Sequence, residues 1–227
     1  MTLREQVESK LADLIKDHDV KGHSMDHFIA VRDHALKALK CERLPSRTKL
    51  QIELAALLHD ADDRKIFPFS VNNKNARAIL QTLHVDGKDK FIDDIIQMID
   101  LVSCSKNGDS EPPQRWMAIP RDCDRLEAIG IIGIERCNEY SKMINLPYHL
   151  ADTPVVRTEA ELWKIATPER FAKYKEIKMS VSTIDHYYDK LLHIGKPECL
   201  RSQNKYILEE AARRNNVMVE FVLNYWN

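Results

Sequence analysis

Apolar residues recur at helical spacing along most of this sequence, and this periodicity is the feature that most constrains its fold. In the first run, Leu3, Val7 and Leu11 stand four residues apart on one face of a predicted helix. Thr2 and Glu5 have the spacing of a capping box at its start. Only 6 glycines and 9 prolines interrupt the 227 residues. The pattern favours long helices over many short strands, and we predict an all-α fold in a single domain.

The other helices are predicted from the same periodicity and from the residues that start or stop it. Ser24 or Asp26 is a suitable cap for a second helix, and Thr167 followed by Pro168 is a good start for a late one. A polar loop is expected at residues 103–114, where one glycine and two prolines oppose regular structure. The predicted helices cover residues 3–17, 24–41, 46–60, 72–83, 88–102 and 120–140, with two long helices from 167 to 226 that break at 195–197.

Charge and cysteine usage restrict the classes of partner. Lysine and arginine number 34 against 35 acidic residues, so a formal net charge of −1 gives no field that attracts a membrane or a long nucleic acid. The 5 cysteines are scattered without CxxC spacing, which suits free thiols in a reducing compartment. The first residues are charged throughout and have neither the apolar core of a signal peptide nor that of a membrane span. We expect a cytoplasmic protein, and a homodimer stays open.

A histidine-aspartate pair, His59 and Asp60, closes the third predicted helix after the apolar run at residues 54–58. A buried imidazole beside a buried carboxylate is costly unless hydrogen bonds or a metal ion compensate it. His27 and Asp124 lie near the apolar stripes of two other predicted helices. These nitrogen and oxygen donors suit manganese, iron, cobalt, nickel or zinc, and four of them leave two places on an octahedral ion for water or a phosphate oxygen. The alternative is a set of core histidines with a packing role only.

Four segments in chain order carry a more specific pattern. The segments GHSMDHFIAV, LAALLHDADDRK and RDCDRLEAIGIIGIER resemble the metal-binding segments of the histidine-aspartate (HD) domain superfamily of metal-dependent phosphohydrolases. STIDHYYDKLLHI resembles the C-terminal signature of its small stand-alone branch, in which nucleoside triphosphate pyrophosphohydrolases are known. The resemblance implies a helical bundle of the HD-domain type and one divalent ion, with manganese as first candidate and iron, cobalt, nickel, zinc and magnesium as alternatives. Carried over by position, its ligands are His27, His59, Asp60 and Asp124.

The resemblance also implies roles for residues beyond the metal ligands. Asp63 falls where related enzymes place a carboxylate that positions or deprotonates the attacking water; the alternative is that it caps the next turn or pairs with Arg64. Lys65 is a candidate catalytic residue and phosphate ligand, and Lys106 is a candidate for a second phosphate ligand. The charge of a phosphate must be balanced by a cation on a side chain long enough to contact it. The alternative for each is a solvated surface lysine. His23 precedes the second helix, and we expect it to contact substrate and not the metal.

The predicted domain has three parts, and two features depart from the superfamily pattern. We predict a metal-binding core at about residues 22–140, an irregular excursion at about 141–166 and C-terminal helices at about 167–226. The excursion begins where the superfamily often has a glycine-rich stretch after the Asp124 helix. Ala30 occupies the position of a superfamily arginine. The substrate pocket is therefore expected to differ from that of its relatives.

Three functions remain open at the level of the sequence. The first is a hydrolase that cleaves a nucleoside triphosphate between its α- and β-phosphates, giving a monophosphate and pyrophosphate. The second is a phosphatase acting on nucleoside 5′-monophosphates or another small phosphate ester. The third is a non-catalytic, metal-stabilised nucleotide-binding module. In each case the partner is a small-molecule nucleotide or phosphate ester, and neither a long nucleic acid nor a membrane is expected.

Overall fold

The computed structural model describes residues 2–18 and 24–227, apart from the side chains of Ser105 and Lys106. Within these residues the regular elements are helices and there is no strand, which confirms the predicted all-α class. In chain order the helices are α1 (Leu3–Ile15), α2 (Met25–Leu39), α3 (Ser46–Leu58), α4 (Lys74–Gln81), α5 (Lys88–Val102), α6 (Cys104–Asn107), α7 (Ile119–Glu127), α8 (Gly130–Met143), α9 (Glu159–Ile165), α10 (Pro168–Ile177), α11 (Thr183–His186), α12 (Leu192–Ile194) and α13 (Lys205–Trp226).

The chain forms two compact units. The first comprises residues 1–103 and 111–124, and the second comprises residues 104–110 and 125–227. We predicted a single domain from the sequence, and the division into two compact units leaves this a prediction. In the part of the chain that the structure describes, no helix is both long enough and apolar enough to cross a membrane.

The first unit is built around α3. This helix packs against α1, α2 and α5, and residues 51–58 are all buried. α4 packs against α1 and α5 and completes the unit with a 3₁₀ turn (Arg115–Ala118) that contacts α5. The predicted capping box starts α1: the backbone N–H of Thr2 donates to Glu5 Oε2 at 2.8 Å. Because α3 is surrounded by other helices, the residues at its C-terminal end lie inside the unit.

The second unit is built around α13, which packs against α8, α9 and α12. α11 and α12 are joined by one π-helical turn (Tyr187–Leu191), against which α10 packs. Asn204 caps α13 by accepting a hydrogen bond from the backbone N–H of Ile207 at 3.3 Å. Thr167 caps α10 in the same way, with Pro168 in its first turn, as predicted.

The structure corrects the predicted helix at residues 120–140, which is two helices. α7 ends at Glu127, and α8 begins at Gly130, whose φ of +75° lies in the left-handed region that favours glycine. A Cβ added at this glycine would lie 3.0 Å from the Arg214 side chain of α13. The break therefore follows from the close packing of α13.

Three further boundaries differ from the sequence prediction. The polar loop at residues 103–114 contains the one-turn helix α6, and the excursion at residues 141–166 contains α9. A capping box between Thr158 and Glu161 starts α9 and was a readable signal. The first of the two predicted C-terminal helices ends early, because Lys178 adopts a φ of +62° after α10.

We expect Gly130→Ala to lower the free energy of unfolding by about 2–4 kcal/mol, because it adds left-handed strain and a clash with Arg214. Gly87→Ala is the matched control. Gly87 also has a positive φ of +56°, but its nearest contact is the Arg47 side chain at 3.7 Å, so strain alone should cost about 1 kcal/mol. Urea unfolding of both variants measures the difference, and equal losses would contradict the packing explanation.

Candidate metal centre

Two imidazole rings meet where α2 and α3 pack together. His27 lies in the first turn of α2, after the N-cap Ser24, and His59 directly follows α3. Their Nε2 atoms are 3.2 Å apart. Both residues are buried, with the His59 side chain fully enclosed. Two ring nitrogens from different helices therefore point at the same small volume.

Two carboxylates complete this group of donor atoms. Asp60 Oδ2 lies 3.3 Å from His59 Nε2 and 3.8 Å from His27 Nε2. Asp124 Oδ1, from α7, lies 3.4 Å from His27 Nε2 and 3.6 Å from His59 Nε2. The four residues that we predicted as metal ligands are thus brought together by three helices of the first unit.

The hydrogen bonding of His59 prepares its Nε2 atom for metal binding. Its Nδ1 lies 2.9 Å from the carbonyl oxygen of Ala56, which only accepts hydrogen bonds, so Nδ1 carries the proton. In the neutral ring Nε2 then offers a lone pair. Histidine ligands in metal sites almost always donate their other ring N–H in this way.

Charge around the centre favours cations. Burial lowers the pKa of His59, but the charges of Asp60 and Asp124 outweigh it and raise the pKa to about 9. Burial raises the pKa of Asp124, but the hydrogen bond from His27 and the charge of His59 outweigh it, and the pKa is lowered. The two carboxylates therefore attract either a proton or a metal ion to the same place.

The donor distances fit a divalent ion. Neighbouring donors lie about 3.0 to 3.4 Å apart around an octahedral or tetrahedral ion with bonds of about 2.1 Å. The measured separations of 3.2 to 3.8 Å are close to these values. The carboxylates are more accessible than the imidazoles: side-chain exposure is 30% for Asp124 and 18% for Asp60, against 7% for His27. A water molecule or a phosphate oxygen would therefore approach from the carboxylate side.

The other predicted site residues have different outcomes. One carboxylate oxygen of Asp63 accepts a hydrogen bond from the backbone N–H of Lys65 at 2.8 Å, which is the turn-capping contact of the alternative interpretation. The Lys65 side chain is exposed, and Asp63 is partly exposed. The Lys106 side chain and the whole of His23 lie outside the described residues. The roles of all four stay predictions.

Sequence reasoning missed Asp62, which holds the turn that carries Asp63 and Lys65. Asp62 Oδ1 accepts from the backbone N–H of Asn75 at 2.8 Å, and Oδ2 accepts from that of Ala76 at 2.9 Å. These amides belong to the first turn of α4, so Asp62 caps that helix from 13 residues away. A cap so distant in sequence gives no local signal.

Solved structures share this fold along almost the whole chain. An HD-superfamily hydrolase from Bacillus thuringiensis is 22% identical, with a TM-score of 0.67, over 99% of this chain and 96% of that one. A protein from Lactobacillus plantarum is 25% identical, with a TM-score of 0.67, over 99% and 97%. Bacillus subtilis YpgQ, in a complex with ADP, is 20% identical, with a TM-score of 0.67, over 99% and 95%. The fold is therefore of the HD-domain type, as predicted.

Comparison of sequences gives a nearer relative. The uncharacterized protein L803 of Acanthamoeba polyphaga mimivirus is 50% identical over 233 aligned positions, which cover 98% of this chain and 96% of that protein. The chain belongs to the same family as this mimivirus protein. No family model matches the chain.

We expect purified protein incubated with Mn²⁺ to retain about one ion per chain, and His27→Ala to retain almost none, because a ligand nitrogen is lost. His34→Ala is the matched control: His34 is also buried and lies two turns further along α2. Metal analysis after gel filtration gives the stoichiometry. Equal metal content in the two variants would rule out this centre.

Metal binding is expected to depend on pH through His59. Its raised pKa of about 9 means that the metal-free ring is protonated below that pH, and a ligand nitrogen must lose this proton. Apparent Mn²⁺ affinity should therefore rise from pH 6.5 to about 9 and then level off, with release of about one proton. Calorimetry in buffers of different ionisation enthalpy measures both quantities. A pH-independent affinity would contradict this assignment of the ligand.

Proposed function

We propose that this protein is a divalent-metal-dependent phosphohydrolase that converts nucleoside triphosphates into nucleoside monophosphates and pyrophosphate. The observation that carries the proposal is the convergence of His27, His59, Asp60 and Asp124 on one point with a partly accessible carboxylate side. A bound divalent ion at such a centre polarises a phosphoryl oxygen and lowers the pKa of a water molecule. The residues of the chain would then supply the remaining requirements of the reaction.

Asp63 is proposed to orient the attacking water and to accept its proton. The water oxygen forms a bond to the α-phosphorus, and the bond from that phosphorus to the bridging oxygen breaks, so that pyrophosphate leaves. One oxygen of the Asp63 carboxylate is held by the backbone N–H of Lys65, and this contact fixes the orientation of the carboxylate. A held carboxylate suits the task, because general-base catalysis requires a defined distance to the proton.

Lys65 is proposed to contact the phosphate chain. Its side chain is exposed and flexible, so it has the reach to contact a phosphate oxygen and balance its charge. Asp62 supports this role by joining the turn at residues 60–65 to α4. Lys106 and His23 are proposed as further substrate contacts on the superfamily resemblance alone.

A nucleotide is the favoured substrate class. Bacillus subtilis YpgQ, which shares the fold, was crystallised in complex with ADP. A nucleoside monophosphate phosphatase would use the same metal chemistry, and a nucleotide-binding module would use the same site without turnover. The reaction products distinguish these three candidates.

The deciding experiment is a product assay with Mn²⁺ on ribonucleoside and deoxynucleoside triphosphates and monophosphates. Pyrophosphate and orthophosphate are scored separately, with Asp124→Ala as the metal-ligand control. Pyrophosphate from triphosphates, lost in the control, is the expected result. Orthophosphate from monophosphates would replace the proposal by a phosphatase. No product, together with a nucleotide-induced rise in melting temperature, would replace it by a binding module.

We expect Asp63→Asn to lower kcat by about 10²–10⁴-fold with unchanged metal content, because the amide cannot accept the proton of the water. Lys65→Ala should raise KM about tenfold, since it removes a phosphate contact. Lys74→Ala, which removes another exposed lysine of the first unit, is the matched control and should behave as wild type. Wild-type kcat in Asp63→Asn would leave Asp63 as a turn cap only.

A further inference from the structure

Exposed apolar side chains are concentrated on α8, in the second unit. Ile131, Ile132, Tyr140 and Met143 are between 42% and 66% exposed. The other large apolar residues that are exposed in the described part of the chain lie in loops or at helix ends. Single exposed apolar residues are common on protein surfaces, but several on one helix indicate a surface that a partner covers.

Four residues form a seam along this side of α8. Ile132, Arg136, Glu139 and Met143 follow one another at intervals of four, three and four positions. This spacing is the heptad pattern by which one helix packs along another helix. The opposite side of α8 carries the buried Ser141, so the seam points away from the interior of the second unit.

The order of residues along the α8 seam is self-complementary. An apolar residue stands at each end, with Arg136 and Glu139 between them. If two α8 helices run antiparallel about a two-fold axis, Ile132 lies opposite Met143 of the second copy. Arg136 then lies opposite Glu139 of the second copy. Each contact occurs twice, because a two-fold interface uses the same surface of both copies. The seam therefore fits a second copy of itself.

The charges beside the α8 seam fit the same orientation. Glu135 and Lys142 are exposed on one flank of the seam. In the antiparallel pair Glu135 lies close to Lys142 of the second copy, and these opposite charges attract each other. A parallel pair would place Arg136 against its own copy and Glu139 against its own copy, and like charges repel. Charge therefore favours the antiparallel orientation.

Arg136 is already held in place by a contact within its own chain. Its Nη1 atom donates to the carbonyl oxygen of Glu127 at 3.1 Å, and the side chain is half-buried. A guanidinium group has five N–H donors, so this contact is compatible with a further one to a carboxylate. A side chain that is already ordered also loses less conformational entropy when it binds. Arg136 is therefore well suited to the centre of an interface.

We propose that the α8 seam is the interface of a homodimer, in which the α8 helices of two copies of this chain pack antiparallel. α8 has 14 residues and is about 21 Å long, so one helix pair buries less surface than a standard interface of about 1,600 Å². The dimer should therefore dissociate with a Kd of about 10–100 μM. The proposal depends neither on the metal centre nor on the proposed function.

Two charge variants test the pairing of Arg136 with Glu139. Arg136→Glu and Glu139→Arg each place like charges opposite one another, so each variant alone should be monomeric at concentrations where the wild type dimerises. An equimolar mixture restores both pairs of opposite charges and should dimerise within about tenfold of the wild-type affinity. Sedimentation velocity from about 5 to 500 μM measures the association. A monomeric wild type, unchanged dimers in the single variants, or a mixture that stays monomeric would overturn the proposal.

Met143→Lys tests the apolar end of the α8 seam, because it places a charge opposite Ile132 of the second copy. We expect this variant to dimerise at least about tenfold more weakly than the wild type. Met179→Lys is the matched control: Met179 is 60% exposed against 66% for Met143, and it lies in the second unit outside α8. The control should dimerise as the wild type does. Equal weakening in both variants, or none in Met143→Lys, would overturn the assignment of the interface to α8.

Discussion

Two carboxylates and two imidazole nitrogens that face one point are the constraint on which the first unit depends. Two partly buried carboxylates held so close together repel each other unless positive charge compensates them. A proton on His59 or a divalent ion meets this need, and the raised pKa of His59 expresses the same attraction. α3 must therefore be enclosed by α1, α2 and α5, so that its C-terminal pair lies inside the unit. Packing and chemistry impose the same arrangement on this helix.

Two buried histidines, His59 and His193, both lie beside carboxylates but differ in the hydrogen bonds that their rings make. The carbonyl oxygen of Ala56, one turn before His59, accepts a hydrogen bond from its Nδ1–H, so Nε2 offers a lone pair when the ring is neutral. His193 instead donates through Nε2 to Asp109, and Arg125 completes the charge balance. Similar residue types are thus held differently because their hydrogen-bond partners differ.

The helices with local start signals were predictable, and the breaks without such signals were not. The capping box of α1 and the Thr167–Pro168 start of α10 involve neighbouring residues only, so the sequence pattern indicates them directly. Gly130 stands in an apolar periodic run that reads as one continuous helix. Its left-handed conformation depends on the packing of Arg214, which lies far along the chain. The periodicity of neighbouring residues gives no information about a contact with a residue so far along the chain.

The candidate metal ligands illustrate the same division. The sequence by itself determined the all-α class and the four ligand candidates, because helical periodicity and donor chemistry are properties of short segments. Only the tertiary structure decided which ring nitrogen of His59 faces the carboxylates. It also brought Asp109 beside His193, which lies 84 residues away, and placed Asp62 at the start of α4, where it caps that helix. These outcomes depend on contacts that form when helices pack, and a residue pattern within one helix carries no information about them.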